Sequence, residues 1–265
     1  MLYYPQLTSG SVAQYPVNRR NQRRTIANTL ADGSNIPMED ATFASVGWDL
    51  TYAHLTADEA TSIENLFLAC EGRLGTFTFL DPTDNLLNWT EDFTQKVWEP
   101  DPLLTVSGGV ADPFGGSSGA QLTNTAQITQ VLSQNIAGAS WFQYCLSVWI
   151  RADVPTPVTL VAASSGSSAQ QSFNAAPAWM RAVFASSLNL QQDGVKFGIQ
   201  LAPGTRVYIY GPQMEAQLGA GNYKRSTNLA GVYPHSRFDS DELAVTATGL
   251  NQYACKVSIV SCTAG

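Results

Sequence analysis

Chemistry in this chain would fall first to its carboxylates, its two histidines and its four cysteines. Eight acids lie between Asn88 and Leu229: Glu91, Asp92, Glu99, Asp101, Asp112, Asp153, Asp193 and Glu215. Glycoside hydrolysis needs two carboxylates about 5–10 Å apart across the scissile bond. None of the eight stands in a recognisable catalytic signature. Glu91 and Asp92 are neighbours at a strand start, where one of the two points away. A serine triad would have to recruit His54 or His235, and no Gly-x-Ser-x-Gly occurs. Asp81-Pro82-Thr83-Asp84 has too few ligands for a calcium loop and reads as a turn. The expectation is a protein with no catalytic residue, no metal and no cofactor, hence not an enzyme.

The cysteines are Cys70, Cys145, Cys255 and Cys262, with no Cys-x-x-Cys pair for a zinc ribbon or a redox motif. An iron–sulfur cluster wants clustered cysteines, and these are scattered. Cys255 and Cys262 fall on one strand, an odd number of residues apart, so they face opposite ways and stand roughly 23 Å apart at ~3.3 Å per residue. A disulfide needs Cα atoms about 4.4–6.8 Å apart. All four are read as reduced thiols in a cytosolically made protein.

Binding is the more open possibility. Sugar sites use exposed aromatic rings flanked by amides and acids. Trp89, Trp98 and Trp141 lie beside turns and are the candidates for carbohydrate stacking, against the plainer reading of packing. Trp149 sits on an alternating strand and is expected in the core, while Trp179 lies near a strand entry. Arg19, Arg20, Arg23 and Arg24 carry four of the fourteen basic side chains within six residues. Such a run reads as a solvated loop or edge strand, and alternatively as a contact to an acidic neighbouring subunit.

The residues that hold these groups in place favour β-structure. The 265 residues are 44% apolar and only 13% charged, with a net charge of −7. That balance argues against a domain that grips nucleic acid. No apolar run approaches the ~20 residues of a membrane-spanning helix, and the first residues lack the basic and apolar regions of a secretion signal. Ala44–His54 alternates, with Val46, Trp48, Leu50, Tyr52 and His54 on one face. A helix follows: Thr56 and Glu59 form a capping box, Ala60, Ile63, Phe67 and Cys70 make its apolar stripe, and Gly72 supplies the left-handed end. Gly75–Leu80 reads as a strand. Near the C-terminus, Leu243–Ala247 and Tyr253–Ile259 form a hairpin, which cannot be stable alone.

Composition changes near Asn85. Residues 88–229 hold five of the six tryptophans and three Gly/Ser clusters between short alternating runs. Many short strands with turn signals between them suggest a β-sandwich, and the size suits a jelly roll. The architecture expected is therefore mainly β. Residues 1–87 and 230–265 build a discontinuous β-rich scaffold with one helix, and residues 88–229 are an inserted sandwich. Thirteen of the 21 acids and half of the 14 Lys and Arg belong to the scaffold, a net of −6.

Two resemblances follow from these segments. The Gly10–Pro16 opening, the strand into a capped helix, Glu71–Pro82 (EGRLGTFTFLDP) and Tyr233–Leu243 (YPHSRFDSDEL) occur in an order similar to the distal tail proteins of long-tailed phages and prophages. That resemblance implies a virion protein of the tail tip, made in the host cytoplasm and not inserted in a membrane. It implies a ring, commonly a hexamer, with the tail tube protein on one face and the hub or tip proteins on the other. DNA would pass only through the lumen, where an acidic lining repels phosphate. The second resemblance is that of the insert. Asn85–Phe93, Leu146–Arg151, Ala178–Arg181 and Tyr210–Glu215 are similar to landmarks of carbohydrate-binding jelly rolls in phage tail and fibre proteins, with a looser closing segment at Asn222–Thr227. It implies peripheral modules that could touch host surface polysaccharide. The alternative is an adhesion protein of the tail tip whose main role is glycan binding.

Overall fold

A computed structural model describes residues 1–262. In chain order the elements are β1 (Asn18–Thr29), β2 (Asn35–Leu55), α1 (Ala57–Ala69), β3 (Phe77–Leu80), β4 (Glu99–Pro100), β5 (Leu104–Val110), β6 (Gly119–Asn124), β7 (Gln130–Ala139) and β8 (Tyr144–Arg151). They continue as β9 (Thr156–Ser164), β10 (Ser167–Ala175), β11 (Met180–Ser186), β12 (Asp193–Leu201), β13 (Arg206–Glu215), β14 (Val232–Phe238), β15 (Val245–Gly249) and β16 (Gln252–Cys262). The fold is mainly β with one helix, as the sequence predicts.

The chain divides into two compact units. The first comprises Met1–Pro5, Ala13–Phe79 and Tyr233–Gly265; the second comprises Gln6–Val12 and Leu80–Val232.

The first unit is a six-stranded sheet of order β1-β2-β16-β14-β3, with β15 paired to β16. Its core is aromatic. Trp48 is fully buried and lies 4.8 Å from the Phe79 ring and 4.6 Å from Tyr233. Val46, Leu50 and Tyr52 share the buried face of β2 with it. His54 does not, in contrast to the strict alternation expected of Ala44–His54. Its φ of 55° breaks the period, so Leu55 takes the buried position and the exposed His54 ring meets Gln252 through Nδ1 at 3.2 Å. α1 has the expected capping box: Thr56 Oγ1 accepts from the Glu59 N–H while Glu59 Oε2 accepts from the Thr56 N–H. Ala60, Ile63, Leu66 and Cys70 are buried along its stripe, and Gly72 has the positive φ that closes the helix.

β1 is the edge strand of that sheet. β16 pairs β2 only over Ser45–Leu55, so from Arg24 to Phe43 the β1–β2 hairpin is a two-stranded ribbon. Every residue of β1 is exposed. Ile26 stands opposite Met38, with Ile36 two residues earlier in β2 on the same face, and all three are about half exposed.

The second unit is a β-sandwich of two five-stranded antiparallel sheets, of order β10-β9-β12-β7-β4 and β11-β8-β13-β6-β5. Leu132, Leu160, Phe197 and Ile199 from the first sheet and Leu122, Val148, Ile150 and Ile209 from the second are buried between them. Three short pieces expected in the scaffold group with this unit: Gln6–Val12 and residues 80–87 and 230–232. Gln6 exchanges hydrogen bonds with the Gln143 backbone, its Nε2 donating to the carbonyl at 2.9 Å and its Oε1 accepting from the N–H at 2.7 Å. Leu86 and Leu87 are buried in the sandwich. Between them and the turn, fully buried Asn85 donates through Nδ2 to the carbonyls of Pro212 and Lys224 and accepts through Oδ1 from the N–H groups of Leu87 and Met214.

Candidate functional site

The outward face of the β11-β8-β13-β6-β5 sheet gathers the aromatic and polar side chains of the second unit. Alternation puts them there. Leu146, Val148 and Ile150 of β8 point into the core, so Ser147, Trp149 and Arg151 lie on the other face. Val207 and Ile209 are buried in β13, which leaves Tyr208 and Tyr210 in the same outward phase. Cross-strand register then builds two rows. One runs Ser107, Gln121, Tyr208, Arg151; the other runs Tyr210, Trp149, Arg181.

Two loops add aromatic rings. Half-buried Trp179 precedes β11, and the Arg151 guanidinium lies 5.7 Å from its ring centre and 4.3 Å from that of Tyr208. Phe114, 68% exposed, stands edge-on to Trp149 at 5.6 Å and to Tyr210 at 5.8 Å. Its loop is held by one carboxylate: Asp112 Oδ1 accepts from the N–H groups of Phe114 and Gly116, and Oδ2 from that of Ser118. Burial pushes the Asp112 carboxyl upward, but these backbone donors outweigh it and leave it below its ordinary value.

The acids on this face are already engaged. Glu91 Oε1 accepts from the Tyr210 and Tyr223 hydroxyls at 2.9 and 3.2 Å, and its Oε2 pairs with Arg225 Nε at 3.3 Å. Burial, then the Glu91 carboxylate, push the Tyr210 hydroxyl well above its usual range, so it stays a neutral donor. Asp153 Oδ2 accepts from Tyr208 Oη at 2.9 Å and from Arg206 Nη2 at 3.0 Å. Beside Glu91 a cavity of about 290 Å³ opens between Glu91–Thr94 and the Gly108–Gly109 end of β5. The face therefore offers flat rings, fixed hydroxyls, an amide and guanidinium groups.

The tryptophans expected to stack on sugar are Trp89, Trp98 and Trp141, none of which is on a strand of this face. Trp98 is a correction: it is 3% exposed, packed 5.3 Å from Phe93 and 6.4 Å from Phe197, with its indole N–H donated to the Trp89 carbonyl. Proximity to a turn misled, because the Trp89–Trp98 segment folds back over the sandwich. Trp89 is half-buried with φ 52°. Trp141 is 39% exposed and sits edge-on to Phe142. Trp149, expected in the core, is instead half-buried on the outward face. The signal was its phase, shared with Ser147 and Arg151.

The four arginines lie on β1 in the first unit. Arg19 donates to Tyr233 Oη at 2.8 Å, Arg20 bridges Asp49 at 3.1 Å and Asp239 at 3.6 Å, and Arg24 pairs with Asp40. Arg23 has no polar side-chain partner among the described residues. They occupy an edge strand, one of the two settings expected of the run. Among the described residues no group of three or more His, Cys, Asp or Glu is placed to hold a metal.

A scan against protein-family models finds no match, and a search of curated proteins finds none. Solved structures do align with the chain. The CBM22-1 xylan-binding domain of Paenibacillus barcinonensis Xyn10C aligns over 53% of this chain and 99% of that domain, with 12% identity and a TM-score of 0.42. TmCBM61, solved with β-1,4-galactotriose, aligns over 49% of this chain and 97% of its own, with 12% identity and a TM-score of 0.38. The enzymatically active domain of bacteriophage CBA120 tailspike protein 4 aligns over 52% of this chain and 22% of its own, with 13% identity and a TM-score of 0.39. These are what the chain is similar to, over about half its length.

Proposed function

We propose that the second unit binds a glycan on the outward face of its β11-β8-β13-β6-β5 sheet. The observation that carries this reading is the set of Trp149, Tyr208 and Tyr210, three rings in one outward phase with Gln121, Arg151 and Arg181 around them. Sugar rings present C–H patches that lie flat on aromatic faces and hydroxyls that need fixed donors and acceptors; binding sites combine such apolar surface with a few placed polar groups. The role in this reading is binding rather than hydrolysis: Glu91 is engaged by two tyrosine hydroxyls and Arg225, and Asp153 by the Tyr208 hydroxyl and Arg206. Titration calorimetry of the purified protein against bacterial surface oligosaccharides tests it. Tyr208→Ala should weaken binding at least tenfold with an unchanged circular dichroism spectrum. Equal affinity in the variant overturns the assignment of this face.

The first unit is, in this proposal, the scaffold of a phage tail-tip protein, a distal tail ring joining the tube to the hub, located in the virion. Its support is the order of motifs from Gly10 to Pro82 and from Tyr233 to Leu243, together with the β1–β2 ribbon. A two-stranded ribbon is marginal alone in water, and this one exposes Ile26, Ile36 and Met38 on one face beside an open edge. A ribbon of that kind gains stability by packing on another subunit. Light scattering with negative-stain images should find a ring, and a paired Ile26→Asp, Met38→Asp change should reduce it to smaller species. A monomer that binds glycan and never assembles, with or without tail tube protein, favours the adhesion alternative.

A further inference from the structure

Arg151, the last residue of β8, stands on the outward face with no carboxylate in salt-bridge contact among the described residues. Its guanidinium lies over the Tyr208 ring at 4.3 Å and beside the Trp179 ring at 5.7 Å. No carboxylate, hydroxyl or carbonyl of the described residues accepts from its side chain, and its Nε is buried without a partner. A guanidinium has five N–H donors in a planar fork, so donors left unused in a half-buried setting are costly unless something fills them. The neighbouring arginine tells the same story. Arg181 donates to the Gly221 carbonyl at 2.7 Å and to Ser147 Oγ at 2.9 Å, both neutral, and its Nε is also unpartnered.

The acids nearby do not compensate Arg151. Asp153 is spent on Tyr208 Oη and Arg206, Glu91 on Tyr210, Tyr223 and Arg225, and Glu215 on Lys224 at 2.9 Å and the Gly221 N–H. Asp112 is turned onto its own loop. The face thus keeps positive charge in a chain whose net charge is −7, a local sign opposite to the global one.

Resting on the glycan reading above, we infer that the sugar this face takes is acidic: a uronic acid residue whose exocyclic carboxylate meets the Arg151 fork while its ring lies along Trp149. A carboxylate matches the fork with two parallel hydrogen bonds, and the aromatic rings beneath hold the guanidinium flat. A neutral sugar can accept from those donors through its hydroxyl oxygens but brings no charge to balance the guanidinium.

The test uses the full-length protein and a panel of short oligouronates that differ in epimer and linkage, each compared with its own methyl ester and with neutral oligosaccharides. The ester keeps the ring and removes the charge. At least one acid should bind ten or more times tighter than its ester. Arg151→Gln should erase that difference, so that acid and ester bind the variant equally whatever its overall affinity, and Arg151→Lys should restore only part of it, since the charge returns without the fork. Esters and neutral oligosaccharides bound as tightly as the acids overturn this inference and leave the glycan reading intact. No binding to any acid, ester or neutral sugar overturns both. An acid preference that Arg151→Gln leaves untouched overturns the assignment to Arg151.

Discussion

Asn85 shows how one side chain can hold four backbone groups of a sandwich. Its amide is fully buried, and removing it leaves two N–H groups and two carbonyls without partners. Each orphaned buried group costs roughly 1–3 kcal/mol, so Asn85→Ala should destabilise the second unit by about 3–5 kcal/mol, allowing for partial relaxation. The measurement is the urea midpoint followed by tryptophan fluorescence, to which that unit supplies five of six residues. Nothing in the sequence marks Asn85 as such a centre, because three of its four partners, Pro212, Met214 and Lys224, lie well over a hundred residues away. Trp149 was legible and misjudged. Its hydrophobicity argued for the core, whereas its phase, with Ser147 and Arg151, argued for the opposite face. Trp98 failed in the other direction, since turn signals report local chain direction and not what later packs on it.

Segments with short-range logic were the readable ones. The helix is fixed by Thr56, Glu59 and Gly72, all within or beside it, and the alternation of β2 holds until His54. There a single residue in left-handed conformation slips the period, where the pairing with β16 shifts register between Tyr253 and Cys255. The Asp112 loop carries a testable pH response. Its carboxyl lies below its ordinary value because backbone N–H groups favour the charged form. A depressed folded value means that the loop's support is complete above the unfolded carboxylate range, about pH 4, and is lost as pH falls through the lower folded value. Phe114 should therefore keep its place against Trp149 from neutral pH down to about 4 and loosen below it. Indole fluorescence and glycan affinity should change together in that window. In Asp112→Asn the acid step at this loop should disappear. An unchanged step would show that another carboxylate, such as Asp92, is responsible.

Across the molecule, the thiols give a count that any laboratory can check. Cys70, Cys145 and Cys255 are buried, and burial pushes Cys145 and Cys255 up to about 11, with Glu215 adding to the first and Glu64 to the second. Cys262 alone is exposed. Native protein at pH 7 should take one maleimide, and unfolded protein four; a second fast adduct in native protein would mean that one of the units opens readily. The expected opposite faces of Cys255 and Cys262 show in that split.

β3 and β14 are neighbours in one sheet, and just beyond them the Asp81 N–H donates to the Gly231 carbonyl at 2.8 Å while the Gly231 N–H donates to the Asn85 carbonyl. The outgoing and returning chain therefore meet at the gate of the insertion. Closing an unstructured loop of some 150 residues would cost about 4 kcal/mol in chain entropy. A sandwich whose own ends already touch removes that penalty, because it holds the gap shut by its own folding. The same junction would accept any other module with touching ends, or a tight turn in place of one. Such a junction would work as a cassette site, at which one module could replace another without redrawing the sheet that carries it.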